Sequence, residues 1–191
     1  MNAYYREKLN RAIAWFAKKH FEKTGKYPTQ IQLFKYLAFL EFQSVKERGY
    51  PVFGLKYKAM KFGPVPEELY NEFKTSSSAS KFYQVKRVNL KTHQGIKKVV
   101  LILPSSEEPD MKLFSPWELS TMERLVEIYG EAWIGADVFS EASHQKIKAW
   151  QKAYQRKPNS LMKFEDELED LPLKEKELFL ERLATFKELT V

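Results

Sequence analysis

Cysteine is missing from all 191 residues. Its absence removes a disulfide framework, a thiolate zinc site and a cysteine nucleophile together, and it fits a reducing compartment. Long apolar runs are missing too, since no window approaches the roughly 20 apolar residues that a membrane span needs. The N-terminal stretch MNAYYREKLNRAIAWF is charged and amphipathic, without a small-residue cleavage site. The expectation is a soluble cytoplasmic protein with no membrane partner. Histidine is scarce: His20, His93 and His144 are all there is. The glycines match neither the dinucleotide nor the nucleoside-triphosphate fingerprint, and no G-x-S-x-G elbow occurs.

Aromatic side chains are abundant, with 14 Phe, 10 Tyr and 4 Trp. Rings in that number require a core or an interface, so a disordered chain is excluded. The formal charge of +7 is unevenly spread. Residues 81–100 carry six basic residues and no acid, and residues 145–157 carry five and no acid. From Asn159 to Val191 nine acids face five bases, a net of −4, which leaves +11 on the residues before it. Such asymmetry predicts an acidic partner, nucleic acid, or the chain's own tail lying on a basic face.

Apolar residues at Tyr5, Leu9, Ala12, Ile13 and Phe16 have helical spacing, which predicts a first helix over about Asn2 to Lys23. Thr29 with Gln32 forms a capping box for a second helix, IQLFKYLAFLEF, apolar on nearly every side and therefore central. In GLKYKAMKFGPVPEELYNEF (54–73), Gly54 suits a turn and LKYKAMKF a short helix, stopped by Gly63 and Pro64. Pro66, Glu67 and Glu68 then open another helix. Those two carboxylates would repel a phosphate, so this stretch is not a phosphate loop. A flexible connection at 74–81 leads to the runs FYQVKRVNL and KKVVLIL, expected to pair as a hairpin with His93 solvated in its turn. Ser115-Pro116-Trp117-Glu118 starts a helix that ends at Gly130. Short helices follow over 135–143 and around Trp150 and Tyr154.

The tail carries Phe179, Leu183 and Phe186 on one stripe of a docking helix. It is expected to cover a basic face until a partner arrives. The fold class expected is α+β, a mostly helical single domain. About six helices surround a small antiparallel β-hairpin, and a C-terminal helical extension follows. The division is a domain over 1–157 and an acidic amphipathic extension over 158–191.

Catalytic chemistry has no specific support. His20 is expected to be a packed ring. Glu141 and His144 share the Glu-x-x-His spacing of di-iron bundles, which require it twice with two further carboxylates. It occurs once here, so no metal, cofactor or catalytic residue is assigned and the chain is expected not to be an enzyme. A basic β-ribbon is a real alternative: Lys86, Arg87, Lys97 and Lys98, with Phe82 and Tyr83 nearby, would suit a nucleic-acid-binding module or operon regulator.

Four blocks in order resemble a known family. They are FKYLAFLEF (34–42), GYPVFGLKYKAMKFGPVPEELY (49–70), FSPWELSTMERLVEIYG (114–130) and EASHQKIKAW (141–150). Together they resemble the Panacea domain, the SocA-like family of bacterial and phage antitoxins, over roughly residues 5 to 152. One departure is Ala149, which stands where the family's proline is expected before Trp150. The resemblance implies a protein without catalytic activity that binds and neutralises a toxin encoded by a neighbouring gene, with a protease as a further partner where the antitoxin acts as an adaptor. The partner-binding residues it suggests are Tyr57, Lys58, Lys61, Phe62, Gly63, Pro64, His144 and Trp150. The alternative is that Tyr57 and Phe62 pack inward and the lysines are merely solvated.

Overall fold

The computed structural model describes residues 2–75, 80–92, 95–131 and 135–190. The expected exposure of His93, and residues 76–79 of the serine-rich connection, fall outside them.

Helix α1 (Ala3–Thr24) starts where the Asn2 side chain accepts from the Tyr5 amide and stops at Gly25 in the left-handed conformation. Helix α2 (Gln30–Arg48) opens with the reciprocal Thr29–Gln32 capping box. It runs through the core, burying Leu33, Phe34, Tyr36, Leu37, Phe39, Leu40 and Phe42. Helices α4 (Pro116–Tyr129) and α5 (Ala136–Lys146) pack against it, α4 opening with the Ser115–Glu118 capping box. Rings tie these helices together. Phe16 stacks on Tyr36 at 4.9 Å, and Phe139 meets Tyr36 at 4.8 Å and Tyr129 at 4.4 Å. His20 is a packed ring, its Nδ1 3.0 Å from the Tyr36 hydroxyl, and burial pushes its pKa down to about 4.

The basic runs form strands β3 (Tyr83–Thr92) and β4 (Gly95–Pro104), antiparallel with Tyr83 opposite Pro104 and Thr92 opposite Gly95. The base of this hairpin buries Phe82, Tyr83, Val85 and Ile102, and the Ile102 amide donates to the Pro28 carbonyl.

A second hairpin replaces the short helix expected at LKYKAMKF. Strand β1 (Tyr57–Met60) pairs with β2 (Gly63–Pro66), after which α3 (Glu67–Thr75) begins. Burial alternates along β1, with Tyr57 and Ala59 inward. Its other edge is also satisfied: Ala59 and Tyr57 exchange backbone hydrogen bonds with Asn159, Ser160 and Met162. With partners on both sides, four extended residues outcompete one helical turn. Pro64 and Pro66 lie on β2, an edge strand, where their missing donors leave no ladder bond unmade.

Helix α6 (Lys148–Arg156) precedes a 3-10 turn (Phe164–Leu168) and the C-terminal helix α7 (Leu173–Thr190). The expectation for the tail needs dividing. Its acidic turn does lie on a basic face: Lys148 pairs with Glu169 and Asp170, Lys152 with Glu169, and Arg156 with Asp166. The α7 stripe instead docks on the loop after α2. A Cβ on Gly49 would sit 2.9 Å from the Phe179 ring, and one on Gly54 2.8 Å from the Phe186 ring. Both glycines have positive φ, so this approach depends on their lacking side chains.

Candidate protein-binding surface

The second and fourth family-like blocks meet at one place, through residues 90 positions apart in the chain. The Trp150 indole donates to the Met60 carbonyl at 3.1 Å, fastening α6 to the β1–β2 turn. Trp150 stacks with two rings, His144 at 4.0 Å and Tyr154 at 4.7 Å. On the outer side of the turn Phe62 projects with 59% of its surface exposed, and the Lys61 ammonium lies 5.7 Å from the ring centre. Beside it opens an apolar pocket of about 340 Å³, lined by Ile31, Phe34, Met60, Phe62, Val65 and Tyr70 among others. An exposed ring next to an apolar recess, edged by a cation, suits an apolar side chain of a macromolecular partner.

The expected contact residues separate by depth. Lys61 and Phe62 are exposed and form the surface. Lys58 is partly buried and pairs with Glu67. Tyr57, Gly63 and Pro64 are buried, so they support the turn from beneath. For Tyr57 this is the inward-packing alternative: its ring lies 5.4 Å from Phe42. Phe62 takes the opposite course. Trp150 is 8% exposed and His144 partly buried, so both brace the turn more than they present area.

Three buried ionisable side chains hold the backbone of this region, and none was singled out in the sequence. Glu41 is fully buried and accepts from the amides of Val52 (2.7 Å), Phe53 (3.0 Å) and Leu55 (2.9 Å), which shapes the loop leading into β1. Burial raises its pKa to about 7, against the lowering effect of those amides. Lys35 is 1% exposed, its ammonium donating to the Pro64 carbonyl at 3.1 Å. Among the described residues no carboxylate pairs with it, and burial pulls its pKa down to about 7. Glu167, from the tail, accepts from the Ala149 amide at 2.9 Å and so caps α6, whose own first residues offer no side-chain cap. Burial raises its pKa to about 7 as well. Ala149, the departure from the family pattern, therefore has its amide satisfied by the C-terminal segment.

Gly63 is pinned between these elements. With φ at +92°, a Cβ there would fall 2.4 Å from the Ser143 hydroxyl and 2.8 Å from the Lys35 nitrogen. His144 is held toward its neutral form, chiefly by burial, with Lys35 acting in the same direction and Glu141 opposing. Its Nδ1 lies 3.5 Å from a Glu141 oxygen. Among the described residues no three His, Asp or Glu side chains converge as a metal site would require.

The basic set is arranged differently from one patch. Strand register puts Lys86 and Lys97 on one face of the β3–β4 ribbon and Arg87 and Lys98 on the other. Arg87 donates to the Phe73 carbonyl.

No helix among the described residues is long and apolar enough to cross a membrane. No curated protein and no solved structure matches the chain. The family model described as "Antitoxin SocA-like, Panacea domain" matches residues 33–151, which include most of α2, both hairpins, α3, α4, α5 and the start of α6, and exclude α1 and the C-terminal segment. The matched span is well over half of the 191 residues, and the chain belongs to the SocA-like, Panacea-domain antitoxin family.

Proposed function

We propose that the protein is the antitoxin of a toxin–antitoxin pair and neutralises a toxin encoded beside it by direct contact, without catalysing a reaction. The observation that carries this reading is the fastening of the β1–β2 turn to Trp150, which presents Phe62 and Lys61 beside an apolar pocket. The surface needs no cofactor. Phe62 acts as the apolar anchor, and Lys61 favours a partner with acids at its rim. Delivery of the toxin to a protease, in the cytoplasm, is compatible with this arrangement and requires only that the complex leave another face free.

Co-expression with the neighbouring gene's product tests the proposal. That product should arrest growth alone and be tolerated with the antitoxin. Replacing Phe62 with serine should weaken the complex by about 30-fold or more, the loss of one anchor worth roughly 2 kcal/mol. The melting temperature should hardly move, because the ring is exposed. A neighbouring product that is harmless alone, or a Phe62→Ser protein that binds it unchanged, would refute respectively the function and the site.

A further inference from the structure

The outer half of the β3–β4 ribbon is not used by the surface above. From Phe82 to Pro104 there is no acid, while Lys86, Arg87, Lys91, Lys97 and Lys98 crowd toward the turn. Among the described residues, Lys86, Lys91, Lys97 and Lys98 make no ion pair, whereas the other basic run, on α6, is neutralised by Glu169, Asp170 and Asp166. The ribbon is thus the large block of positive charge that the chain does not answer internally.

Its geometry narrows the partner. Cross-strand pairs share a face, so Lys86 (opposite Leu101) and Lys97 (opposite Leu90) point one way. Lys98 (opposite Asn89) and Lys91 (opposite Ile96) point the other way. That second face is the core-facing side at the base, where Tyr83, Val85 and Ile102 are buried. By Asn89, Lys91, Ile96 and Lys98 it has emerged into solvent, with Ile96 exposed to 71%. The ribbon therefore leaves the body and carries cations on both sides of a blade one strand pair wide.

A flat acidic protein surface would engage one side of such a blade and leave the other unpaired. A groove walled by two rows of phosphates engages both. The major groove of B-form DNA, about 12 Å wide, admits a two-stranded ribbon with strands about 4.8 Å apart, whereas the deep, narrow major groove of A-form RNA does not. We infer that the β3–β4 ribbon is a duplex-DNA-binding element that enters the major groove with Lys86 and Lys97 toward one phosphate backbone and Lys91 and Lys98 toward the other. Ile96, at the leading end, supplies an apolar contact of the kind that thymine methyl groups accept. This function is separate from toxin binding and stands whether or not that proposal holds.

Fluorescence anisotropy with a labelled B-form duplex of about 20 base pairs, titrated at several salt concentrations, tests it. Four phosphate contacts predict a slope of log K against log salt of roughly −3 to −4, so affinity falls on the order of 100-fold between about 50 and 200 mM salt. The pair Lys86→Gln/Lys97→Gln and the pair Lys91→Gln/Lys98→Gln should each reduce the slope by nearly two, and the quadruple variant should abolish it. All six positions offered for substitution are exposed, including the off-ribbon control pair Lys26→Gln/Lys157→Gln, which should change binding far less. Toxin neutralisation by the quadruple variant should be unaffected. The inference is overturned by absence of binding at the lowest salt, or by dependence on one ribbon face alone. Equal loss in the control pair, equal affinity for double-stranded RNA, or a quadruple variant that loses its toxin but keeps DNA would also overturn it.

Discussion

Replacing Lys35 with methionine should stabilise the protein at neutral pH, and the gain should shrink as pH rises. Lys35 is 1% exposed and, among the described residues, makes one hydrogen bond, to the Pro64 carbonyl. Burial moves its pKa from 10.5 to about 7. The unfolded chain therefore holds the proton throughout that interval while the folded chain has lost it. The unfolded state binds more protons, so wild-type stability rises with pH from about 7 and levels off above about 10.5. Below pH 7 both states are protonated and the full penalty, on the order of 5 kcal/mol, is present. Methionine has similar length and no charge. It removes the penalty but leaves the Pro64 carbonyl without its donor, at a cost of about 1–3 kcal/mol.

The balance favours the variant by about 2 kcal/mol near pH 7, declines by a little over 1 kcal/mol per pH unit, and vanishes near pH 9. Urea unfolding followed by tryptophan fluorescence at three pH values between 7 and 9 measures it. Glu41 and Glu167 titrate in both proteins, so the difference between the two curves isolates Lys35. A difference that stays constant over this range would refute the reasoning, because the amine would then keep its proton and be reached by water.

Three further substitutions separate backbone strain, close packing and the docking of α7. Gly63→Ala should lower stability by about 2–5 kcal/mol, combining left-handed strain with the clash against Ser143 and Lys35, whereas Gly95→Ala, where φ is also positive but nothing among the described residues lies within 4 Å of the added carbon, should show the strain alone in a thermal melt. Phe186→Ala removes a ring buried against Gly54 and Tyr5; about 3 kcal/mol of local stability should be lost, seen by hydrogen exchange as lowered protection in 173–190 with α2 unchanged.

Elements specified by neighbours in the chain were legible. Both capping boxes, the α1 stripe, the β3–β4 hairpin and the apolar face of α7 depend on residues within a few positions of one another. Strand β1 was not, because its deciding partners, Asn159 to Met162, lie 100 residues away and its own spacing permits a helical turn. The roles of Lys35 and Glu41 are hidden for a related reason, since the backbone groups they hold lie 11 to 29 residues away. A signal was nevertheless present: the body IQLFKYLAFLEF (31–42) is apolar on nearly every side and has no solvent face, so Lys35 and Glu41 within it must be buried. The site was legible as two motifs but not as one place, since nothing local states that the Trp150 indole reaches the Met60 carbonyl. The charge asymmetry left an acidic partner, nucleic acid or the tail as what would meet a basic face; the acidic turn meets the basic face of α6, and nothing in the charge pattern said that the hydrophobic stripe would settle elsewhere.

The burial of three ionisable groups under one surface has a common physical consequence. Each is unfavourable by its own desolvation, and each ends on backbone: Glu41 on the amides of the 52–55 loop, Lys35 on Pro64, Glu167 on the first turn of α6. Apolar replacements could fill the same volumes, but they could not fix the positions of backbone donors and acceptors. The stability given up goes into holding a four-residue strand, a tight turn and a helix start in fixed relation. A partner that binds Phe62 and the adjoining pocket then meets a surface already ordered, and association need not supply that ordering from its own free energy. This explains why the second family-like block is rich in glycine, proline and buried rings yet exposes few side chains: most of its residues set the shape, and Lys61 and Phe62 are left exposed for the proposed contact.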